Sequence, residues 1–311
     1  MIRVAIDAMG GDLGPRIAFE SALKVLQKYD DVDISIYYHD SFSSFIPHLH
    51  INAISCADFI LQTDTVDRTL FRRKETTLYK SLKSLSQREV DVVITLGNTG
   101  VMVALSRFIL GLVRPKLYPA LIRELESSSF RCLVDLGANV HCQANMLEGF
   151  ACLGSAYIES KSDLEAKVGL LNVGVESSKG SSVIREADQA LSARLWPIYA
   201  GYAEGDEIFT GEKNVIVCDG MVGNAVLKAS EGLLSFINKQ LSTAHDKQII
   251  NALFSGGRHH GACLIGVNGN VVKGHGGSDE VALIGAIEYG IDVAKNNLCE
   301  KIAAKIKKEV V

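Results

Sequence analysis

Residues 214–228, NVIVCDGMVGNAVLK, contain an apolar run that ends at an aspartate and turns on a glycine into a helical pattern. A similar order occurs in VAIDAMGGD (4–12), VVITLGNTG (92–100) and CLVDLGANV (132–140). Short apolar runs that stop at a glycine turn before a helix are typical of strands in α/β proteins. The sequence therefore predicts several strands whose carboxyl ends carry polar, glycine-containing turns.

Strands of this kind alternate with helical patterns along most of the chain. We predict strands at 2–7, 33–38, 91–96, 131–136, 168–173, 214–218 and 263–267, and helices near 16–28, 76–88, 99–111, 143–160, 182–194, 222–243 and 279–296. Strands that are apolar on both faces indicate a mostly parallel sheet covered on each side by helices. The prediction is a three-layer α/β/α fold in one domain, 1–311, with a helical excursion at about 230–256.

Composition excludes several classes of protein. The net charge of −4 argues against general affinity for nucleic acid, and the seven cysteines form no CxxC pair, which argues against a zinc ribbon or a disulfide scaffold. No carboxylate–histidine cluster indicates a metal, and no cofactor is expected. The chain begins directly with a strand pattern, and its longest apolar stretch, 103–113, is shorter than a membrane span. We expect a cytoplasmic enzyme.

The glycine turns indicate where a ligand binds. In open parallel sheets, ligands bind beyond the carboxyl ends of the strands, and the N-terminus of the following helix favours an anion. One such turn is more simply explained as a strand end with a helix cap. Four or five turns in one sheet favour a shared anion site.

A nucleotide enzyme is the first alternative. Residues 6–14, IDAMGGDLG, stand between a strand and a helix, but Met9 occupies the place of the first glycine of the dinucleotide fingerprint. Asp40, near the end of the second strand, is the acid that would bind a ribose. No P-loop motif occurs.

Two later segments carry more reactive side chains. NVGVESSKGSS, 172–182, places Lys179 among glycine and hydroxyl residues before a helix, where an ammonium suits phosphate oxygens. VVKGHGGSDE, 271–280, places His275 between glycines before another helix. Histidine titrates near neutral pH and can serve as an acid or a base. Taken alone, each residue is more simply explained as an ordinary surface or loop residue.

Together these motifs resemble a known family. The motifs are DAMGGD (7–12), RTLFRRKETT (68–77), GNTG (97–100), DLGANVHC (135–142), LLNVGVESSKG (170–180), CDGMVGN (218–224) and KGHGGSD (273–279). In this order they resemble the PlsX-type phosphate acyltransferases, from Ile2 to about Ala294. The resemblance implies a phosphotransacetylase/isopropylmalate dehydrogenase-like fold and a homodimer. It also implies transfer of a long-chain acyl group from acyl carrier protein to inorganic phosphate at the entry to bacterial phospholipid synthesis.

The reaction assigns a role to the residues that these motifs contain. Lys179 would stabilise the charge of phosphate or of an oxyanion, and His275 would act on the leaving sulfur or on phosphate. Asp219 and Asn224 complete the candidate catalytic set by positioning these groups. The candidate phosphate-binding residues are Gly10, Gly11, Asn98, Thr99 and Gly100, through backbone and amide donors. We expect no metal.

Two other functions remain open at this stage. One is an acyl-cysteine relay, with Cys142 as the nucleophile and His141 beside it in sequence. A thiolate needs a depressed pKa, so direct attack by phosphate is favoured. The other is a scaffold that binds carrier protein without catalysis.

Two surfaces are predicted to meet partners. Arg68, Arg72, Arg73 and Lys74 concentrate positive charge that would steer an acidic carrier protein, although a solvated face or a phosphate pocket explains them equally well. The apolar stretch 232–254 includes Phe236 and Ile237, for which the resemblance implies peripheral contact with a membrane. The acyl phosphate made by the enzyme would then reach a membrane glycerol-3-phosphate acyltransferase. The same stripe would also suit a dimer contact or packing on the core.

Overall fold

The computed structural model of the protein describes residues 1–45, 51–125, 130–195, 197–241, 243, 246 and 261–308. The chain divides into two compact units. Unit 1 consists of Met1–Val113 with Arg258–Ala303, and unit 2 of Arg114–Gly257 with Ala304–Val311. The assignment of the whole chain to one domain stays a prediction.

The strands are β1 (Ile2–Asp7), β2 (Val32–His39), β3 (Asn52–Cys56), β4 (Val92–Thr95), β5 (Ala120–Leu125), β6 (Arg131–Val134), β7 (Val168–Leu171), β8 (Tyr199–Ala203), β9 (Val215–Val217), β10 (Gly261–Ile265) and β11 (Asn270–Gly274). The helices are α1 (Pro15–Lys28), α2 (Thr77–Ser86), α3 (Thr99–Leu110), α4 (Ala144–Lys161), α5 (Ser182–Arg194), α6 (Glu207–Thr210), α7 (Gly220–Gln240), α8 (Glu280–Lys295) and α9 (Leu298–Lys308). A short 3-10 helix covers Leu70–Arg72.

In unit 1 the strand order is β3-β2-β1-β4-β11-β10. All neighbours are parallel except β10, which is antiparallel to β11. The central strands β1 and β4 are buried along nearly their whole length, as expected for strands between helical layers. Helix α8 packs closely on this sheet because Gly290 leaves room for the Ile94 side chain, which a Cβ would strike.

In unit 2 the order is β5-β6-β9-β7-β8, with β5 antiparallel to β6 and the other neighbours parallel. Helix α4 buries eleven of its residues, including Phe150 and Tyr157. Gly154 of α4 lies against Val215 of β9, so a larger residue would separate the helix from the sheet. The predicted mostly parallel α/β fold is confirmed.

The predicted elements are all present, with ends shifted by a few residues. Strands β3, β5, β8 and β11 and helices α6 and α9 were not predicted. Strand β5 has the sequence ALIREL, and its two charged residues interrupt the apolar pattern that predicts a strand. The structure pairs them, Arg123 with Glu231 at 2.9 Å and Glu124 with Lys161 at 2.7 Å. The predicted excursion at 230–256 coincides with the end of α7 as far as Gln240, and most of its remainder lies outside the described residues.

Candidate active site

Three turns meet in unit 1 at the carboxyl ends of the parallel neighbours β1, β4 and β11. A Cβ on Gly10 would collide with the backbone of Gly97, and the Asp12 N–H donates to the Gly276 carbonyl at 2.9 Å. Gly10 and Gly11, both predicted to bind phosphate, lie within this contact. Glycine is required at Gly10 because any side chain would push the two turns apart.

A buried aspartate lies beneath these turns. Asp7, the last residue of β1, accepts from the hydroxyls of Thr77 at 2.7 Å and Thr95 at 2.8 Å. Burial raises the pKa of Asp7, while the two hydroxyls and the nearby Lys273 ammonium lower it. Lys273 also donates to the carbonyls of Leu96, at 3.2 Å, and Gly274. Asp7 and Lys273 thus connect all three strand ends.

The turn after β4 presents the N-terminus of α3. The Asn98 side chain caps this helix, its Oδ1 accepting from the Val101 N–H at 3.1 Å. Its Nδ2 donates to the carbonyls of Gln62 at 2.8 Å and Asp64 at 3.0 Å. The expectation of an amide donor from Asn98 to phosphate is therefore corrected, because both amide protons already have acceptors. The donors at this turn are the N–H groups of the first helical residues, Thr99 and Gly100 in the predicted set, which have no intrahelical acceptor.

His275 follows β11 and is exposed. Its Nδ1 accepts from the Gly277 N–H at 3.1 Å. A nitrogen that accepts this bond carries no proton, so the proton of the neutral ring lies on Nε2. In the neutral ring, Nε2 is consequently the nitrogen that can donate.

Unit 2 has its own buried aspartate, Asp135, directly after β6. Its Oδ1 accepts from the N–H groups of Leu121, Leu136 and Ala138 at 2.8, 2.7 and 3.2 Å. Its Oδ2 accepts from the N–H and the Nδ2 of Asn139 at 2.7 and 3.0 Å. Burial raises the pKa of Asp135, and these donors oppose that shift. The carboxyl group organises the whole 135–139 turn.

The first turn of α7 packs on that loop. Asp219 caps the helix by accepting from the Val222 N–H at 2.8 Å. A Cβ on Gly223 would strike the Asp135 carbonyl, and Asn224 lies against Gly137. The structure thus brings the predicted residues Asp219 and Asn224 together on one helix beside the 135–139 turn.

Lys179 lies on the loop after β7. The loop is held at its base, where Asn172 Nδ2 donates to the Gly174 carbonyl at 3.1 Å and Arg185 donates to the Gly180 carbonyl at 2.5 Å. Lys179 is exposed, and its Cγ lies near Gly174. Because β6, β9 and β7 are parallel neighbours, this loop, Asp135 and Asp219 all follow strand ends at one edge of the unit 2 sheet.

The surroundings of Cys142 disfavour the relay. Burial raises the pKa of its thiol to about 11, and its Sγ donates to the Asn139 carbonyl at 3.5 Å. A nucleophilic cysteine needs the opposite shift. The neighbouring His141 is exposed, whereas the thiol points back at its own turn.

The predicted docking residues differ in their surroundings. Arg68, Arg72 and Lys74 are exposed, whereas Arg73 is partly buried and binds Asp58 and Asp64. On α7, Leu233 and Phe236 are 55% and 61% exposed, and Ile237 is partly exposed. Within the described ranges, no helix is long and apolar enough to cross a bilayer, and no group of three His, Cys, Asp or Glu residues could hold a metal.

Sequence reasoning missed Asp7, Asp135 and Lys273 as site residues, although each lies in a quoted motif. Their roles depend on donors and acceptors elsewhere in the chain, such as Thr77 and Thr95 for Asp7. A polar residue that ends an apolar strand was the available signal. It indicates a turn, but it does not show which atoms the turn binds.

Comparisons with known proteins identify the family. The family model described as "Fatty acid synthesis protein" matches residues 2–301. The "Phosphate acyltransferase" of Photobacterium profundum is 34% identical, covering 98% of this chain and 97% of that protein. The protein of the same name from Polaromonas naphthalenivorans is 30% identical, covering 98% and 90%.

Solved structures show the same fold. A phosphotransacetylase from Streptococcus pyogenes matches with a TM-score of 0.61 and 14% identity, over 98% of this chain and 94% of that one. A 4-hydroxythreonine-4-phosphate dehydrogenase from Klebsiella pneumoniae matches with a TM-score of 0.55 and 12% identity, over 94% and 98%. The class of the protein is therefore an acyltransferase on a phosphotransacetylase-like fold. More particularly, the chain belongs to the fatty acid synthesis protein family, the PlsX family of phosphate acyltransferases.

Proposed function

We propose that this protein transfers a long-chain fatty acyl group from acyl carrier protein to inorganic phosphate, giving acyl phosphate for bacterial phospholipid synthesis. Family membership supports the reaction class. The structural observation that carries the proposal is the contact of the Gly10 and Gly97 turns beside the N-terminus of α3. Such an arrangement directs unpaired N–H groups at an anion.

The reaction needs little from a general base. An oxygen of hydrogen phosphate attacks the thioester carbonyl, the tetrahedral oxyanion collapses and the C–S bond breaks. The departing carrier thiolate takes up the proton that hydrogen phosphate gives up on acylation, so that the products are acyl phosphate and free carrier thiol. Phosphate is already anionic at neutral pH, so donors matter more than deprotonation. Loss of one donor aimed at such an oxyanion typically costs about 10²–10³ in rate.

The role proposed for each candidate residue follows from the charge or the hydrogen-bond donor that it carries. We assign Lys179 to charge on phosphate or on the oxyanion. His275 donates from Nε2 to the leaving sulfur or to phosphate. Asp219 fixes the start of α7, and Asn224 is positioned against Gly137 on the same helix. Backbone N–H groups of the Gly10, Gly11, Thr99 and Gly100 turns bind phosphate.

The partners follow from this reaction. Acyl carrier protein is the donor, and the exposed charges of Arg68, Arg72 and Lys74 would steer its acidic surface. The product is an amphiphile that a membrane glycerol-3-phosphate acyltransferase would consume. We propose a cytoplasmic homodimer that associates peripherally with the membrane.

Helix α7 is the surface proposed for membrane contact. Its exposed apolar side chains, Leu233 and Phe236 among them, would enter the lipid interface. Flotation with anionic liposomes should recover the wild-type protein and lose Phe236→Glu and Ile237→Glu. Equal flotation would contradict the site, and a variant that becomes monomeric would assign the surface to the dimer instead.

One assay tests the reaction. Purified protein, palmitoyl-carrier protein and phosphate should yield free carrier thiol and a hydroxylamine-reactive acyl phosphate. Thiol release that is independent of phosphate would indicate a thioesterase, and intact thioester would indicate a scaffold. Cys142→Ser should remain largely active, whereas a trapped acyl group on Cys142 would establish the relay.

A further inference from the structure

The guanidinium of Arg73 is bound on nearly all sides within unit 1. Its Nε and Nη2 each donate to one carboxylate oxygen of Asp58 at 2.8 Å, which is a bidentate pair. Its Nη1 donates to Asp64 at 2.7 Å, and Nη2 also donates to the Phe59 carbonyl at 2.7 Å. Four donor contacts in a fixed fork make this a geometry that lysine cannot reproduce. We call Arg73, Asp58 and Asp64 the Arg73 clamp.

The clamp holds a segment that has little core of its own. Residues 58–73 are anchored by two buried side chains, Ile60 and Leu70. Between these anchors, every residue from 61 to 69 is exposed except Asp64. Burial therefore cannot fix the middle of the segment, and its position depends on polar contacts. Asp64 is the residue through which Arg73 fixes it.

The fixed segment in turn contacts the candidate phosphate turns. Asp64 Oδ2 accepts from the Leu61 N–H at 2.9 Å, which closes a tight turn over 61–64. The carbonyls of Gln62 and Asp64 accept both protons of the Asn98 amide. The Gln62 side chain donates to the Gly10 carbonyl at 2.8 Å. The 61–64 turn thus connects the cap of α3 to the first glycine turn.

We infer that Arg73 is a positioning residue for phosphate binding, acting through Asp64 and the 61–64 turn on Asn98 and Gly10. This inference rests on the proposed function. It separates Arg73 from its neighbours Arg68, Arg72 and Lys74, with which sequence reasoning grouped it as a docking residue. Docking would require its guanidinium to face a partner, whereas here the guanidinium faces two carboxylates of its own unit.

The kinetic experiment compares Arg73→Met with Arg72→Met, its exposed neighbour. Arg73→Met should raise the KM for phosphate by about tenfold to a hundredfold, since small misplacements in such sites reach about 10²-fold. The KM for carrier protein should not change. Arg72→Met should leave the KM for phosphate unchanged. A rise confined to the carrier KM in Arg73→Met would overturn the inference in favour of docking.

A double variant distinguishes positioning from general damage. Arg73→Met leaves Asp58 and Asp64 facing each other without a cation, so the segment should open partly by charge repulsion. Asp64→Asn in that background removes one charge and keeps an oxygen for the Leu61 N–H. The double variant should therefore recover part of the phosphate affinity. A further loss in the double variant would overturn the mechanism.

Hydrogen exchange of the intact chain makes the test independent of turnover. Amides of 61–67 should exchange faster in Arg73→Met than in wild type, and at the wild-type rate in Arg72→Met. Unchanged exchange in Arg73→Met would overturn the clamp. Faster exchange in a protein whose wild type shows no phosphate-dependent turnover would support the clamp and defeat the proposed function.

Discussion

Asp7 in unit 1 and Asp135 in unit 2 occupy equivalent places, each at the end of a buried strand beneath a glycine turn, yet they are bound by different donors. Asp7 accepts from two threonine hydroxyls and, at 3.4 Å, from the Met9 N–H. Asp135 accepts from four backbone N–H groups and one side-chain amide. The burial is alike, and the chemistry of the donors is not.

The difference determines what each position tolerates. A hydroxyl can reverse its role, accepting from an amide where it donated to a carboxylate, whereas an N–H group can only donate. The hydroxyl donors around Asp7 can therefore adapt to an amide group. The N–H donors around Asp135 require an acceptor oxygen at both side-chain positions. The two side chains proposed to react, His275 and Lys179, lie on loops that follow strand ends of the unit 1 and unit 2 sheets, respectively.

The largest effect is expected from a reacting charge rather than from a support. Lys179→Ala should reduce turnover by roughly 10²–10⁴, the range for positioned charge-stabilising or acid–base groups. Steady-state rates with saturating carrier protein measure it. Lys167→Ala, at an exposed lysine of the same unit, is the control and should be nearly fully active. A Lys179→Ala enzyme within a factor of a few of wild type would remove Lys179 from the reaction.

The two aspartates themselves give the next effect. Asp135→Asn must point an amide group at N–H donors, which should cost about 3 kcal/mol of unfolding free energy, whereas Asp7→Asn should cost about 1 kcal/mol because Thr77 or Thr95 can reverse. Urea unfolding of both variants measures the difference. Equal losses would contradict the distinction between the two networks.

A smaller effect tests the donor atom of His275. Glutamine can place an N–H near the position of Nε2, whereas asparagine reaches only the position of Nδ1. His275→Gln should therefore retain about tenfold more activity than His275→Asn, a fraction of the about 10²–10⁴ expected for full loss. The ratio of kcat values for the two variants measures it. A more active His275→Asn would show that Nδ1 is the working atom.

The smallest effect is a dependence on pH. Burial raises the folded-state pKa of Asp7 above its ordinary value of 3.8. A raised carboxyl pKa contributes stability that is fully present below pH 3.8 and is lost as the pH rises through the folded-state pKa. The stability difference between wild type and Asp7→Asn should therefore be largest in acid and shrink toward neutral pH. Urea titrations at several pH values measure this trend. A stability difference between wild type and Asp7→Asn that grows with pH would contradict the prediction.

Much of the fold was predictable because apolar strands and helical periods repeat locally. Strand β5 was missed since Arg123 and Glu124 break its apolar run, and their ion-pair partners lie on distant helices. The turns were predicted, but the hydrogen bonds that hold them were not. Thr77 and Thr95 lie 70 and 88 residues from Asp7, and no local pattern reveals such pairs. Arg73 was assigned to docking for the same reason, because its charge is visible in the sequence and its carboxylate partners are not.

The pairing of β11 with β4 has a consequence for biosynthesis. On the ribosome, β4 is made well before its second neighbour, Asn270–Gly274, which lies far later in the chain. Until then the nascent chain presents β4 as an open edge that other polypeptides can join. Helix α8, which covers the same strands, is made later still. Truncated chains that stop before residue 270 should consequently depend on chaperones, whatever the stability of the finished enzyme.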